Sequence, residues 1–375
     1  MGKANKAFGI KDKKLIERLV SSIKKKNTSI KVLNILLKNM MKFFEVIFNK
    51  NIITYHIRPK YSNSFQIRPS IKKSSKSAIM IQGPIDHTNN FTLETIKIYK
   101  NLFTDMPLIL STWEDEEEDT IATIQDLGVE VIQSSKPESS LLGDSAWKNV
   151  DLQLISAKAG IRAALNHDVE YCLKTRTDQR FYRSDLINYF LNLIELFPIN
   201  DDSIQNQRII SSSFATAKYR VYGLTDMIMF GDINDLKNYW DVENYSKGIV
   251  KFIVDDSQYI PPIIAGTLVG AEVYLMSSYL KRIGVNLEWT LEHYWEMLRK
   301  HFLVCDSSSL DMYWNKYNKE SEYKYARTYE QKTHRLIDFA DWLQIYKNNN
   351  NSWDEIRNQE LWERSDDGKL LRLII

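Results

Sequence analysis

Cysteine is nearly absent from this 375-residue chain: Cys172 and Cys305 are the only two. That excludes a disulfide framework and a thiolate zinc site. Both sit among apolar neighbours, the setting of buried reduced thiols, so a reducing compartment is expected. Long apolar runs are missing as well. No stretch of about 18 uninterrupted apolar residues could span a bilayer, and the N-terminus has no signal-peptide core followed by a small-residue cleavage site. The expectation is a cytoplasmic protein, soluble or peripheral on the inner face of the cell membrane. Thirteen glycines and eight prolines are too few for collagen or a low-complexity chain, and 43% hydrophobic residues suffice for one large or two ordinary cores.

Several chemical signatures are lacking too. After the first apolar run comes Gly83-Pro84, with no Gly-x-Gly-x-x-Gly to bring a helix N-terminus to a pyrophosphate, and there is no Gly-x-x-x-x-Gly-Lys-Ser/Thr. Hydride transfer and P-loop phosphotransfer are therefore excluded. No serine lies in a Gly-x-Ser-x-Gly elbow. The six histidines, at 56, 87, 167, 293, 301 and 334, show no metal-type pairing.

What is present is a hidden charge segregation. The formal net charge is only +2, from 50 basic and 48 acidic residues. Yet residues 1–76 hold 19 Lys and Arg against Asp12, Glu17 and Glu45, a net of +16, leaving 31 basic and 45 acidic residues, or −14, for 77–375. A basic arm on an acidic body points to an anionic partner. Within the arm, apolar positions from Ile30 to Phe48 with Lys31 and Lys38 on one stripe predict a helix, which Thr28 or Ser29 can cap. Two readings stand: a helix packed on the body or on a second copy, or an interfacial helix whose lysines meet anionic lipid at about 1 kcal/mol each. No nucleic-acid partner is expected. Residues 55–76, with Pro59, Pro69 and several serines, read as a linker.

From Ser77 short apolar runs alternate with longer amphipathic ones, the pattern of βα units around a largely parallel sheet. Strands are predicted at 78–82, 108–111, 129–133, 170–174, 208–212 and 227–230, and helices at 92–103, 151–165, from near 184, and at 269–283. The last 90 residues are helical in character and rich in Trp and Tyr. Three regions follow: a basic arm and linker (1–76), a catalytic α/β domain (77–285) and a helical C-terminal region packed on it (286–375).

Ligands in such sheets gather at the carboxyl ends of the strands. Here those ends read Gln82-Gly83-Pro84, Ser111-Thr112-Trp113, and Lys174 through Arg180. The last is the densest polar cluster, with Lys174, Arg176, Asp178, Arg180 and Arg183. Cations of this kind hold a diphosphate through charge-assisted hydrogen bonds. Alternation along an extended segment would send 174, 176, 178 and 180 to one side.

These strings, with Leu110-Ser-Thr-Trp-Glu114, Asp226-Met-Ile-Met-Phe-Gly231 and Ala271-Glu272-Val-Tyr-Leu275, resemble the WavE-type lipopolysaccharide synthesis proteins, glycosyltransferases of the GT-A fold. The resemblance runs over about 77–283, with the arm and the C-terminal helices outside it. It implies a GT-A-like, mostly parallel Rossmann-type sheet and transfer of a sugar from a nucleotide-sugar donor to a growing surface polysaccharide, lipopolysaccharide or capsule, on an acceptor that can be lipid-linked. Gln82, Gly83, Pro84, Thr112, Trp113, Asn149, Gln153, Lys174, Arg176, Asp178 and Arg180 would bind the donor, and Trp113 would stack on a base or sugar.

GT-A enzymes usually carry Asp-x-Asp for a divalent Mg or Mn ion. Here Asp178 is followed by Gln179 and Arg180, so Asp178 is the one candidate metal ligand and the cations can neutralise the leaving diphosphate instead. Glu272, opening a helix, is the candidate general base and Asp226 the second choice. Asp255 and Asp256 fall in a predicted loop over the site. Two other functions fit the same residues: a noncatalytic glycan- or nucleotide-binding component of an assembly complex, and a phosphosugar or phosphopolyol transferase.

Deleting residues 1–76 is expected to weaken binding to anionic liposomes in a salt-sensitive way, measured by cosedimentation. Unchanged binding would remove the membrane role of the arm.

Overall fold

The computed structural model describes residues 76–137, 148–199, 204–245, 270–317 and 336–348, with residues 39, 40, 43, 353, 362–364 and 370–373. The chain divides into two compact units, 1–65 and 66–375. In the first, Asn39, Met40 and Phe43 are helical, and Met40 and Phe43 are exposed. The rest of the expected arm helix, and the linker up to 75, lie outside the described residues.

In the second unit, the apolar runs become the strands β1 (Ser77–Gln82), β2 (Leu108–Trp113), β3 (Glu130–Ser134) and β4 (Tyr171–Arg176). Their neighbours are β6 (Ile209–Ser212), β7 (Met229–Asp232) and β8 (Phe302–Cys305). They form one seven-stranded sheet in the order β3-β2-β1-β4-β7-β6-β8. The pairs β1–β2, β1–β4, β2–β3 and β6–β8 are parallel, while β7 is antiparallel to both β4 and β6. Every residue of β1 and β2 is buried, which is why these segments read as continuous apolar runs rather than alternating ones. Seven strands, six of them codirectional, with helices around them make a mixed α/β architecture on a mostly parallel sheet.

Helix α1 (Phe91–Leu102) follows β1, α2 (Glu118–Asp126) follows β2, and α3 (Lys148–Ala164) precedes β4. The acidic run after Trp113 turns out to start α2, where Glu118 and Asp119 sit in the first turn and favour the positive end of the helix dipole. After β5 (Gln179–Phe181) come α4 (Leu186–Leu196), α5 (Ile233–Trp240) and α6 (Ala271–Arg282). Asp232 caps α5 by accepting from the Asn234 and Asp235 amides.

The C-terminal region supplies α7 (Leu291–His301) and α8 (Phe339–Lys347), and also strands. Besides β8 in the main sheet, β9 (Met312–Trp314) pairs antiparallel with β5, and β10 (Trp362–Arg364) with β11 (Leu370–Leu373). Trp295 and Trp342 are fully buried, so these late aromatics build core. Both cysteines are buried in strands, and burial pushes the Cys172 thiol up to about 12.

Helix α3 lies tightly on the sheet. A Cβ at Gly160 would stand 2.7 Å from Met80 Cγ and 3.0 Å from Ser111 Cβ, so only glycine lets the helix approach β1 and β2 this closely. Gly160→Val is expected to destabilise the protein by about 1–3 kcal/mol through overpacking, seen as a lower urea midpoint at unchanged slope.

Candidate functional site

Strands β1 and β4 lie side by side with Gln82 opposite Arg176. Gly83, at φ +120°, turns the chain away where a Cβ would meet Thr177 Oγ1 at 3.0 Å. The Gly83 amide donates to the Ser111 carbonyl and the Thr177 amide to the Gln82 carbonyl, so the ends of β1, β2 and β4 are tied together. Buried Gln82 donates through Nε2 to the Gln153 carbonyl and to Ser156 Oγ of α3, each at 2.9 Å. Its Oε1 and that of Gln153 are buried with no hydrogen-bond partner. Pro84 is exposed.

Two expected donor contacts face inward. Thr112 is buried and donates to Glu116 Oε1, the oxygen that also takes the Ile85 amide. The Trp113 ring is buried at the end of β2, which does not leave its face open for a base or sugar to stack on. Asn149 lies in the first turn of α3. Asp255 and Asp256 lie outside the described residues.

The expectation that residues 174 to 180 point one way is corrected. The strand ends at Arg176, turns at Thr177 and Asp178, and restarts as β5 at Gln179, so strand alternation is lost across the turn. Arg180 is buried against α1, donating to Thr95 Oγ1 at 2.8 Å and to the Phe91 carbonyl at 2.9 Å, over the Phe91 ring. Lys174, 1% exposed, lies beneath the site: its Nζ donates to the Asp226 carbonyl at 2.5 Å, stands 3.8 Å from Asp226 Oδ2 and lies over the Trp240 ring. Burial, reinforced by Arg176 and opposed by Asp226 and Asp178, pushes its ammonium down to about 8.

Arg176 keeps a side chain 18% exposed. Its fork donates to both Asp178 oxygens, Nε to Oδ1 at 2.9 Å and Nη2 to Oδ2 at 3.0 Å, and its guanidinium lies 5.6 Å from the Trp314 ring centre. Burial alone would raise the Asp178 carboxyl, but the Arg176 fork, the Trp314 indole and Lys316 outweigh it and hold it below the usual carboxylate range.

Because β7 runs against β4, the residues leading into β7 arrive at the carboxyl end of β4. Asp226 is thereby buried beside Lys174, and neither carboxylate oxygen has a hydrogen-bond partner. The Tyr239 hydroxyl and Trp240 Nε1, buried on α5, also lack partners. Glu272, in the first turn of α6, reaches the same place: burial first and then the Asp226 charge push its carboxyl up, while Arg220, with Nη2 3.4 Å from Oε2, pulls it down. The two candidate carboxylates, 46 residues apart in the chain, thus act on each other electrostatically, and Asp226 also meets Lys174.

Arg220, Tyr239, Trp240 and Trp314 were not legible as site residues. Arg220 lies in an aperiodic stretch with no motif. Tyr239 and Trp240 close α5, a helix absent from the elements expected from the sequence.

The WavE lipopolysaccharide synthesis family matches residues 77–374. The chain belongs to this family. The match extends some ninety residues beyond the Ile283 limit drawn from the motifs, so the C-terminal region is part of the WavE unit. No curated protein matches the chain. Among solved structures, the 4-diphosphocytidyl-2C-methyl-D-erythritol synthase of Anaerococcus prevotii is 12% identical, over 52% of this chain and 84% of that one, with a TM-score of 0.29. A cytidylyltransferase from Leptospira borgpetersenii is 14% identical over 58% and 100%, with a TM-score of 0.28. A glycosyltransferase involved in glycosylation of the major capsid of PBCV-1 is 10% identical over 50% and 78%, with a TM-score of 0.25.

In this WavE chain the residues around Asp178 do not fit a divalent cation as they stand: both oxygens take the Arg176 fork, and among the described residues no group of three His, Cys, Asp or Glu could hold a metal. Among the described residues, no helix is long and apolar enough to cross a membrane.

The Asp178 carboxyl, lower in the folded chain than its ordinary 3.8, contributes stability that is present above that value and lost as pH falls toward the folded one. Asp178→Asn is expected to cost about 1–3 kcal/mol at neutral pH and to remove that component of the acid limb, measured by urea unfolding from pH 7 to 3.

Proposed function

We propose that the chain is a nucleotide-sugar-dependent glycosyltransferase that extends a surface polysaccharide in lipopolysaccharide synthesis. The observation that carries this reading is the buried Asp226 carboxylate 3.8 Å from Lys174, near the carboxyl end of β4 that also carries the partly exposed Arg176, with the Asp226 charge acting on Glu272; this is the edge where such sheets bind ligands. The family supports the biosynthetic context. The +16 arm supports action at an anionic membrane face, where a lipid-linked acceptor would lie.

In this mechanism Glu272 takes the proton of the acceptor hydroxyl as that oxygen attacks the anomeric carbon. The bond from the anomeric carbon to the donor phosphate breaks, and the pair of electrons leaves on the nucleoside diphosphate. Arg176, the partly exposed cation, meets that charge through charge-assisted hydrogen bonds. Lys174 and Arg180 act from below, one holding Asp226 and the other fixing β5 to α1. Asp226, whose two oxygens have no hydrogen-bond partner, accepts from a sugar hydroxyl. Gln82 and Gln153, each with an unpartnered oxygen, line the nucleotide side with Gly83.

A thermal-shift screen of nucleotide sugars is expected to raise the melting temperature with at least one donor, and an Arg176→Ala variant to lose most of that rise; no rise with any nucleotide would overturn the donor pocket. Glu272→Gln should lower transfer about 10²- to 10⁴-fold. Because Glu272 must be ionised to act and its carboxyl is raised, the acid limb of the rate profile should lie above the ordinary 4.5. Full activity in Glu272→Gln would refute the base assignment.

A further inference from the structure

Gly270 precedes α6 at φ −85° and ψ 136°, a backbone conformation open to any residue. Its need for glycine is therefore not conformational. A Cβ built there would fall 1.5 Å from Arg220 Nη2 and 2.8 Å from its Cζ, and 3.2 Å from Glu272 Oε2. The guanidinium occupies the space a side chain at 270 would fill, and it ends on the Glu272 carboxylate. The segment bearing Arg220 is anchored from the C-terminal region. The Trp295 indole donates to the Lys218 carbonyl at 2.9 Å, the Tyr294 hydroxyl donates to the Ala217 carbonyl at 3.0 Å, and the buried Lys218 ammonium pairs with Asp341 at 3.1 Å.

We propose that Arg220 is a positioning residue: it reaches Glu272 through a passage that only glycine at 270 leaves open, and it holds that carboxylate charged and oriented beside Asp226. The need for such a partner follows from the surroundings. Glu272 is 17% exposed and faces the Asp226 carboxylate from the β7 approach and the Tyr239 phenol from α5. Burial and a like charge both favour its neutral form, which cannot take a proton. Lys174 is engaged by Asp226. Arg220, with a side chain 34% exposed, is the cation that lowers the Glu272 carboxyl.

This inference rests on the catalytic reading only for its consequence, because the ionisation of Glu272 can be read without turnover. The full chain, labelled with ¹³C at glutamate Cδ, is titrated by NMR, and the signal missing in Glu272→Gln identifies the residue. Arg220→Gln is expected to raise the Glu272 midpoint by about one unit. Gly270→Ala, whose methyl displaces the flexible end of Arg220 rather than any backbone, is expected to raise it comparably while the melting temperature changes little. Arg220→Lys should fall between Arg220→Gln and the wild type, keeping the charge but not the fork. The acid limb of the rate profile should move with the midpoint in all three. A wild-type midpoint in folded Arg220→Gln would overturn the proposal, as would a wild-type midpoint in Gly270→Ala. A shifted midpoint together with full activity in Glu272→Gln would leave this pairing standing and remove Glu272 as the base.

Discussion

Lys174 stands near the centre of the sheet, shielded from water, and a charge in that position has to be met by another or given up. The answer comes from β7. Because that strand runs antiparallel to β4, the chain entering it passes the carboxyl end of β4 and leaves Asp226 against the ammonium. The Trp240 ring lies 4.6 Å from the ammonium. Much of the site's arrangement follows from this pair: α5, which begins directly after β7, carries Tyr239 and Trp240 beneath it, and Asp226 in turn acts on Glu272 at the start of α6.

The resulting locale is electrically closed. Arg176 holds Asp178, Lys174 holds Asp226, and Arg220 holds Glu272. Three opposite-charge pairs at one sheet edge keep a largely acidic body from repelling an anionic ligand, and keep its cations from binding anions indiscriminately. Yet the closure is incomplete in one respect. The Asp226 oxygens, the Tyr239 hydroxyl, Trp240 Nε1 and the amide oxygens of Gln82 and Gln153 are buried without partners. Buried polar atoms are costly when unpaired, and polar ligand atoms or water would complete these.

Strands β1 to β4, β6 and β7 were legible as short apolar runs, and α1, α3, α4 and α6 by apolar positions at helical spacing, whereas the short helices α2 and α5 were not. Positions 82 to 84, 111 to 113 and 174 to 180 were marked as strand ends by the same means. Orientation was not legible. Trp113, Thr112 and Arg180 had suitable chemistry in the right segment, but a turn at 177 and 178 sends Arg180 onto α1, while Glu116 satisfies Thr112. Arg220 offered no signal at all, since an arginine in an aperiodic loop owes its importance to what the loop passes over. The strands at 302 to 305 and 312 to 314 were hidden for a similar reason: each is short and becomes a strand through pairing with a distant partner.

The sequence by itself determined the alternation of elements, the segregation of +16 from −14, and the short motifs that carry the WavE resemblance, because these are properties of neighbours along the chain. Tertiary structure alone decided which charge meets which. Pairing of β4 with β7 brings Lys174 to Asp226 across 52 residues, and the absence of a side chain at Gly270 lets Arg220 reach Glu272 across another 52. Coulomb forces and steric exclusion act over a few ångströms in space and take no account of separation in sequence.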